Sequence, residues 1–134
     1  MKYIVSVIVA IGLGVFILFS VYFPRINASF ATKGYVRYHY GNKAIDVQVD
    51  DDDLAALKAI LVGRSYTDSP SCGFDSDVSI RLADGQKSIV FCPACDTCPK
   101  FRIDDSDRYI STSEEQRERF DAIVARYGMT FPCM

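Results

Sequence analysis

Residues Tyr3 to Phe23 form an unbroken run of 21 side chains without a charge. As a helix rising about 1.5 Å per residue, such a run extends roughly 30 Å, the hydrocarbon thickness of a bilayer. Tyr3 stands at one end and Tyr22 with Phe23 at the other, where amphipathic rings favour the headgroup layer, and Pro24 with Arg25 end the helix. The run therefore reads as a single N-terminal membrane anchor. A rival reading is a cleaved signal peptide, since Lys2 gives a positive start and Ser29 and Ala31 are small residues at the two positions that signal peptidase reads. The apolar core of a signal peptide is typically about 7–15 residues, well short of this one. No cysteine lies at the end of the run for lipid attachment. Ser6, Ala10 and Gly14 place small residues four apart, a spacing that lets two membrane helices approach, although such residues are frequent in these helices.

Orientation draws on two opposed signals. Arg25, Lys33 and Arg37 follow the run and only Lys2 precedes it, which by charge counting favours a cytoplasmic domain. A short tail, one apolar helix and one small cysteine-bearing domain is nevertheless the plan of an anchored, exported protein. The expectation is a single-pass protein of the cell membrane with its C-terminal domain extracytoplasmic.

Fourteen of the fifteen Lys and Arg residues and all seventeen acids follow Pro24, an ordinary, mildly acidic balance. It offers nothing to nucleic acid. The expected organisation is an anchor at 1–23, a linker at 24–32 and one domain at 33–134, too short for a multidomain enzyme. No phosphate-binding loop, catalytic triad or HExxH pattern is present, so no catalytic residue and no cofactor is assigned. The reading leans away from an enzyme and toward a domain that binds an unidentified protein or ligand.

Tyr35–Tyr40 and Lys43–Val49 alternate around Gly41-Asn42, and this two-residue turn predicts Val36 opposite Val47, Tyr38 opposite Ile45 and Arg37 opposite Asp46. Asp50 to Asp53 open a helix to Val62 as a solvated, acidic cap, with Leu54, Leu57, Ile60 and Leu61 on one stripe and Gly63 as its stop. An EF-hand spaces its acids differently, so calcium is not the expectation. A second hairpin turns at Asp84-Gly85, predicting Val78 opposite Phe91 and Ile80 opposite Ile89. Lys100–Ile103 and Arg108–Ser111 form a third pair. The last helix starts at Ser113 with a capping box to Gln116 and runs to Tyr127, laying Phe120, Ile123, Val124 and Tyr127 on the sheet. The expected fold is α+β, an antiparallel sheet in the order ββα then ββββα with two helices on one face, preceded by the transmembrane helix.

All five cysteines lie in the second half: Cys72, Cys92, Cys95, Cys98 and Cys133. In an oxidising compartment two disulfides are the default, with Cys72, Cys95, Cys98 and Cys133 as the favoured set, because Cys92 continues a strand alternation and Cys133 would tether the tail. In a reducing one, the same four could hold structural zinc, or Cys95-x-x-Cys98 could serve thiol redox chemistry. The spacing Cys92-x-x-Cys95-x-x-Cys98 lacks the nearby fourth ligand of an iron–sulfur site. His39 sits beside Tyr35 and Arg37 on the outer face of the first hairpin, a solvent position more than a site, and Tyr35, Tyr38, Tyr40 and Tyr66 fit strands or a partner surface.

The segments Ser71-Cys72-Gly73-Phe74, Cys95-Asp96-Thr97-Cys98-Pro99, Ser113-Glu114-Glu115 and Phe131-Pro132-Cys133 resemble a group of small uncharacterised bacterial membrane-anchored or exported proteins, over roughly Leu54 to Met134. The resemblance implies an exported, anchored domain and supports the four-cysteine set, with Cys92 an addition to the pattern. It implies no activity.

Overall fold

The uncharged run folds as one helix, α1 (Lys2–Tyr22), in the computed structural model, which describes residues 1–74, 77–95 and 98–129. It is long and apolar enough to cross a membrane, and no residue of Lys2–Val21 is buried. After it come β1 (Arg25–Ile26), β2 (Lys33–Tyr40), β3 (Lys43–Gln48), α2 (Asp51–Ile60), β4 (Gly63–Tyr66), β5 (Val78–Ala83), β6 (Ser88–Pro93), β7 (Lys100–Ile103), β8 (Tyr109–Ser111) and α3 (Glu114–Ala125). The strands make one antiparallel sheet in the order β1-β4-β8-β7-β6-β5-β2-β3.

The α+β class and the antiparallel sheet match the sequence reading, whereas the element order ββα then ββββα and the count of two helices do not. Beyond the expected strands, β1 and β4 form one edge of the sheet, Arg25 facing Arg64 and Ile26 facing Gly63. The described residues form three helices, α1 included. Gly63 does not simply stop α2; it opens β4 at φ 152°, a backbone value that side-chain-bearing residues rarely adopt. The expected linker 24–32 is packed, with Ala28 and Ala31 almost wholly buried in the core.

The β2–β3 register is the expected one at every pair, Val36 with Val47, Tyr38 with Ile45 and Arg37 with Asp46. Gly41 takes the positive φ its turn requires, 57°. The β5–β6 register differs by two residues, pairing Ile80 with Phe91 and Leu82 with Ile89. Asp84 is the cause. Its Oδ1 accepts hydrogen bonds from the amides of Gln86 (2.7 Å) and Lys87 (2.6 Å), and its own N–H donates to the Lys87 carbonyl, so the turn takes four residues. The Lys87 and Gln86 amides, in that order, also hold the Asp84 carboxyl below its usual pKa. A shift of two keeps every side chain on its intended face.

Both domain helices cover one face. Leu54 of α2 and Leu82 of β5 both close on Gly34, and Phe120 of α3 meets Phe101 edge-on with ring centroids 4.8 Å apart. Val36, Ile80, Leu82, Phe91, Phe101 and Ile110 complete this core from the sheet side. Asp50 caps α2 through Oδ1 to the Asp53 N–H (2.8 Å), and Ser113 and Gln116 form the expected capping box on α3. Asp53 is not the solvated acid expected. It is 7% exposed, accepting from the Tyr127 hydroxyl at 2.5 Å and pairing with Arg126, and so it joins the start of α2 to the end of α3.

Candidate functional site on the open sheet face

Because side chains alternate along each strand, the residues opposite the core face line up on the side that α2 and α3 do not cover. Reading across the ladder, these are Arg37 and His39 of β2, Asp46 of β3, Ser79 and Arg81 of β5, Val90 and Cys92 of β6, and Arg102 of β7. Two shallow, solvent-open depressions meet at Ser79 on this face. One, of about 460 Å³, is bounded by Arg37, His39, Asp46 and Asp77. The other, of about 380 Å³, is bounded by Val90, Cys92, Arg102, Asp104 and Asp105. Their lining mixes small residues, Ser79, Ala44, Val90 and Cys92, with charged ones.

Arg81 is held by a ring, whereas Arg102 has both a ring and an acid, its Nη2 standing 4.0 Å from Asp105 Oδ1. The Arg81 guanidinium lies 4.5 Å from the centre of the Tyr35 ring, and that of Arg102 lies 6.0 Å from Phe74. The Nε–H groups of both are buried with no hydrogen-bond partner among the described residues. Arg37 meets Asp46 at 3.4 Å, but both are more than half exposed, so that pair adds little stability. Stacked, fixed guanidiniums beside a groove suit ligands with acceptor oxygens. His39 lies opposite Ala44, as expected, and lines the larger depression.

The cysteines shape the neighbouring rim. Cys72 and Cys98 form a disulfide with Cα atoms 6.4 Å apart, closing a sequence separation of 26 residues. Cys95 is disulfide-bonded as well, while Cys133 lies outside the described residues. Cys92 keeps its thiol, buried in the groove floor where its strand alternation put it. The Cys72–Cys98 bond, the Cys95 N–H to Gly73 carbonyl hydrogen bond (2.8 Å) and the bridge between Phe74 and Ala94 fasten the segment before β5 against the end of β6. Phe74 thereby reaches Arg102 and Tyr109. Among the described residues, no three His, Cys, Asp or Glu side chains are grouped to hold a metal ion.

Sequence reasoning missed two features of this region. Arg117, on α3, is 2% exposed; its Nε donates to Asp121 at 2.9 Å and its Nη1 to the Cys98 carbonyl at 2.5 Å, anchoring the disulfide loop from beneath. The only local signal was the Arg117/Asp121 spacing of four. The other is an aromatic row, Phe19, Phe23, Tyr66 and Tyr109, with successive centroids 5.2, 5.7 and 5.9 Å apart, running from α1 onto the sheet. The Tyr109 hydroxyl donates to Asp68 at 2.7 Å, and burial, then this carboxylate, push its pKa up to about 12.

Compared with protein-family models, curated proteins and solved structures, the chain matches none of them.

Proposed function

We propose that this chain is a single-pass membrane protein whose uncleaved N-terminal helix anchors a disulfide-stabilised, extracytoplasmic domain, and that the open sheet face of the domain binds an unidentified protein or ligand. One observation carries the anchor reading. Ala28 and Ala31, which lie just before the candidate cleavage site, are 0% and 3% exposed in the core. The Ala31 carbonyl accepts from Lys58 Nζ at 2.9 Å, and β1 pairs with β4 just before it. Cleavage after Ala31 would strip the domain of an edge strand and two core residues, so the geometry favours retention.

The disulfide between Cys72 and Cys98 supports an oxidising compartment, because cytosolic thiols are kept reduced. The stacked arginines along the groove support a ligand bearing carboxylate or similar oxygens, and no catalytic constellation is invoked. The chain is expected to purify with its N-terminal residues intact and with at most one cysteine open to alkylation before reduction. Label on four or five cysteines in unreduced protein overturns the disulfide reading, and co-purified zinc replaces it with a structural zinc or thiol-redox role for the same cysteines. Protease added to spheroplasts is expected to remove the domain; protection until lysis overturns its placement.

A further inference from the structure

The junction between α1 and the sheet carries a charge arrangement that the open-face groove does not explain. Arg25 and Arg64 are direct cross-strand partners in β1 and β4. Directly opposed side chains have Cβ atoms only about 4.5–5.5 Å apart, and like charges so placed repel. Among the described residues neither arginine has an ion-pair partner; Arg64 donates one hydrogen bond, to the Phe23 carbonyl at 3.3 Å, and its guanidinium stands 4.4 Å from the Phe19 ring. Phe19 belongs to the last turn of α1, inside the Lys2–Val21 stretch that is long enough to cross a bilayer. Arg64 therefore lies at the level where that stretch ends, although it is 41 positions beyond Phe23 in the chain. Phe23 and Tyr66 adjoin the two cations, 5.7 Å apart, rings of the kind that settle among headgroups.

We propose that the β1–β4 edge is a bilayer-docking surface at which Arg25 and Arg64 share the phosphate of an anionic phospholipid. The proposal rests on the reading that α1 is membrane-embedded. A phosphate between the two guanidiniums cancels their repulsion and accepts from both, while the neighbouring rings keep the site at the depth of the lipid carbonyls. Lipid is the fitting source because Phe19, which packs on Arg64, is itself part of the apolar stretch, so a bilayer around that stretch brings its phosphates to this edge.

The full chain in bilayer discs of phosphatidylcholine mixed with phosphatidylglycerol provides the test, with bound lipids counted by native mass spectrometry after mild detergent exchange. Wild type is expected to retain phosphatidylglycerol in preference to phosphatidylcholine. The double variant Arg25→Gln, Arg64→Gln is expected to lose that preference by roughly thirtyfold, the combined strength of two basic residues beside an anionic surface. A second measurement places the edge. The chain contains no tryptophan, so Tyr66→Trp is a sole reporter, expected to be quenched by lipids brominated high on the acyl chain, whereas Tyr35→Trp is not. Equal phosphatidylglycerol retention by wild type and the double variant, with both resisting alkaline carbonate extraction, overturns the docking site and leaves the anchor standing. Release of wild type by carbonate overturns the anchor and the docking site together.

Discussion

Gly34 has no room for a side chain: a Cβ there would lie 2.9 Å from Val49 Cγ2 and 3.2 Å from Leu54 Cδ1, where β2 passes closest to α2. Gly34→Ala is expected to destabilise the domain by about 1–3 kcal/mol through overpacking, read as a lower urea midpoint. Tyr109 and Tyr127 are single residues with a pH signature. Burial first, then Asp68 and Asp53 respectively, raises both pKa values, that of Tyr109 to about 12. A phenol raised in the folded state retains its proton longer there than in the unfolded chain. Its stabilising contribution is therefore whole below about pH 10 and disappears as pH climbs toward about 12. Absorbance titration is expected to show late-ionising tyrosines, and Tyr109→Phe to flatten the alkaline loss of stability. Among the cysteines, Cys98→Ser is expected to cost about 3 kcal/mol, the loop entropy released when its bond to Cys72 is lost, and Cys92→Ala about 1 kcal/mol of packing. With Cys95 also disulfide-bonded, non-reducing peptide mapping is expected to recover a link from Cys95 to Cys133; a Cys133 thiol that alkylates without reductant refutes that pairing.

Elements declared by short-range chemistry were legible, and those made by distant partners were not. The β2–β3 hairpin could be read residue for residue because a two-residue turn leaves one register. The α3 start was equally plain, since Ser113 and Gln116 complete each other three positions apart. In β5–β6 the strands were evident, but Asp84 holds two amides at once and lengthens the turn, a choice that propensity at Asp84-Gly85 does not reveal. Strands β1 and β4 have two and four residues, too few to show a period, and they find each other across 38 positions. Asp53 was misjudged for the same reason: four consecutive acids look solvated until Tyr127 and Arg126 arrive from more than 70 residues away. At the candidate site, His39 and Cys92 were placed correctly from alternation alone. The stacking of Arg81 and Arg102 was out of reach, because Tyr35 and Phe74 become neighbours only through the sheet and the disulfide-tethered segment.

At the scale of the whole molecule, the sheet begins almost where the helix stops. Only Phe23 and Pro24 separate α1 from β1, and the Pro24 carbonyl already accepts from both the N–H and the hydroxyl of the buried Ser65, each at 3.0 Å. A domain beginning at Thr32 is expected to be about 2–4 kcal/mol less stable than one beginning at Pro24, since it loses Ala28 and Ala31 and leaves Ser65 donors unmet. Comparing the two in urea checks this. The same junction has a mechanical meaning. A flexible tether would let the domain swivel without regard to the helix, whereas a two-residue link bonded at Pro24 to Ser65 and followed at once by the β1–β4 pair is expected to pass rotation from one to the other. If α1 turns about its axis or leans, the sheet edge must turn and lean with it, and its groove sweeps through a matching angle. The helix thus acts as the shaft of a crank, so that its azimuth sets the compass bearing of the face eight strands wide above it.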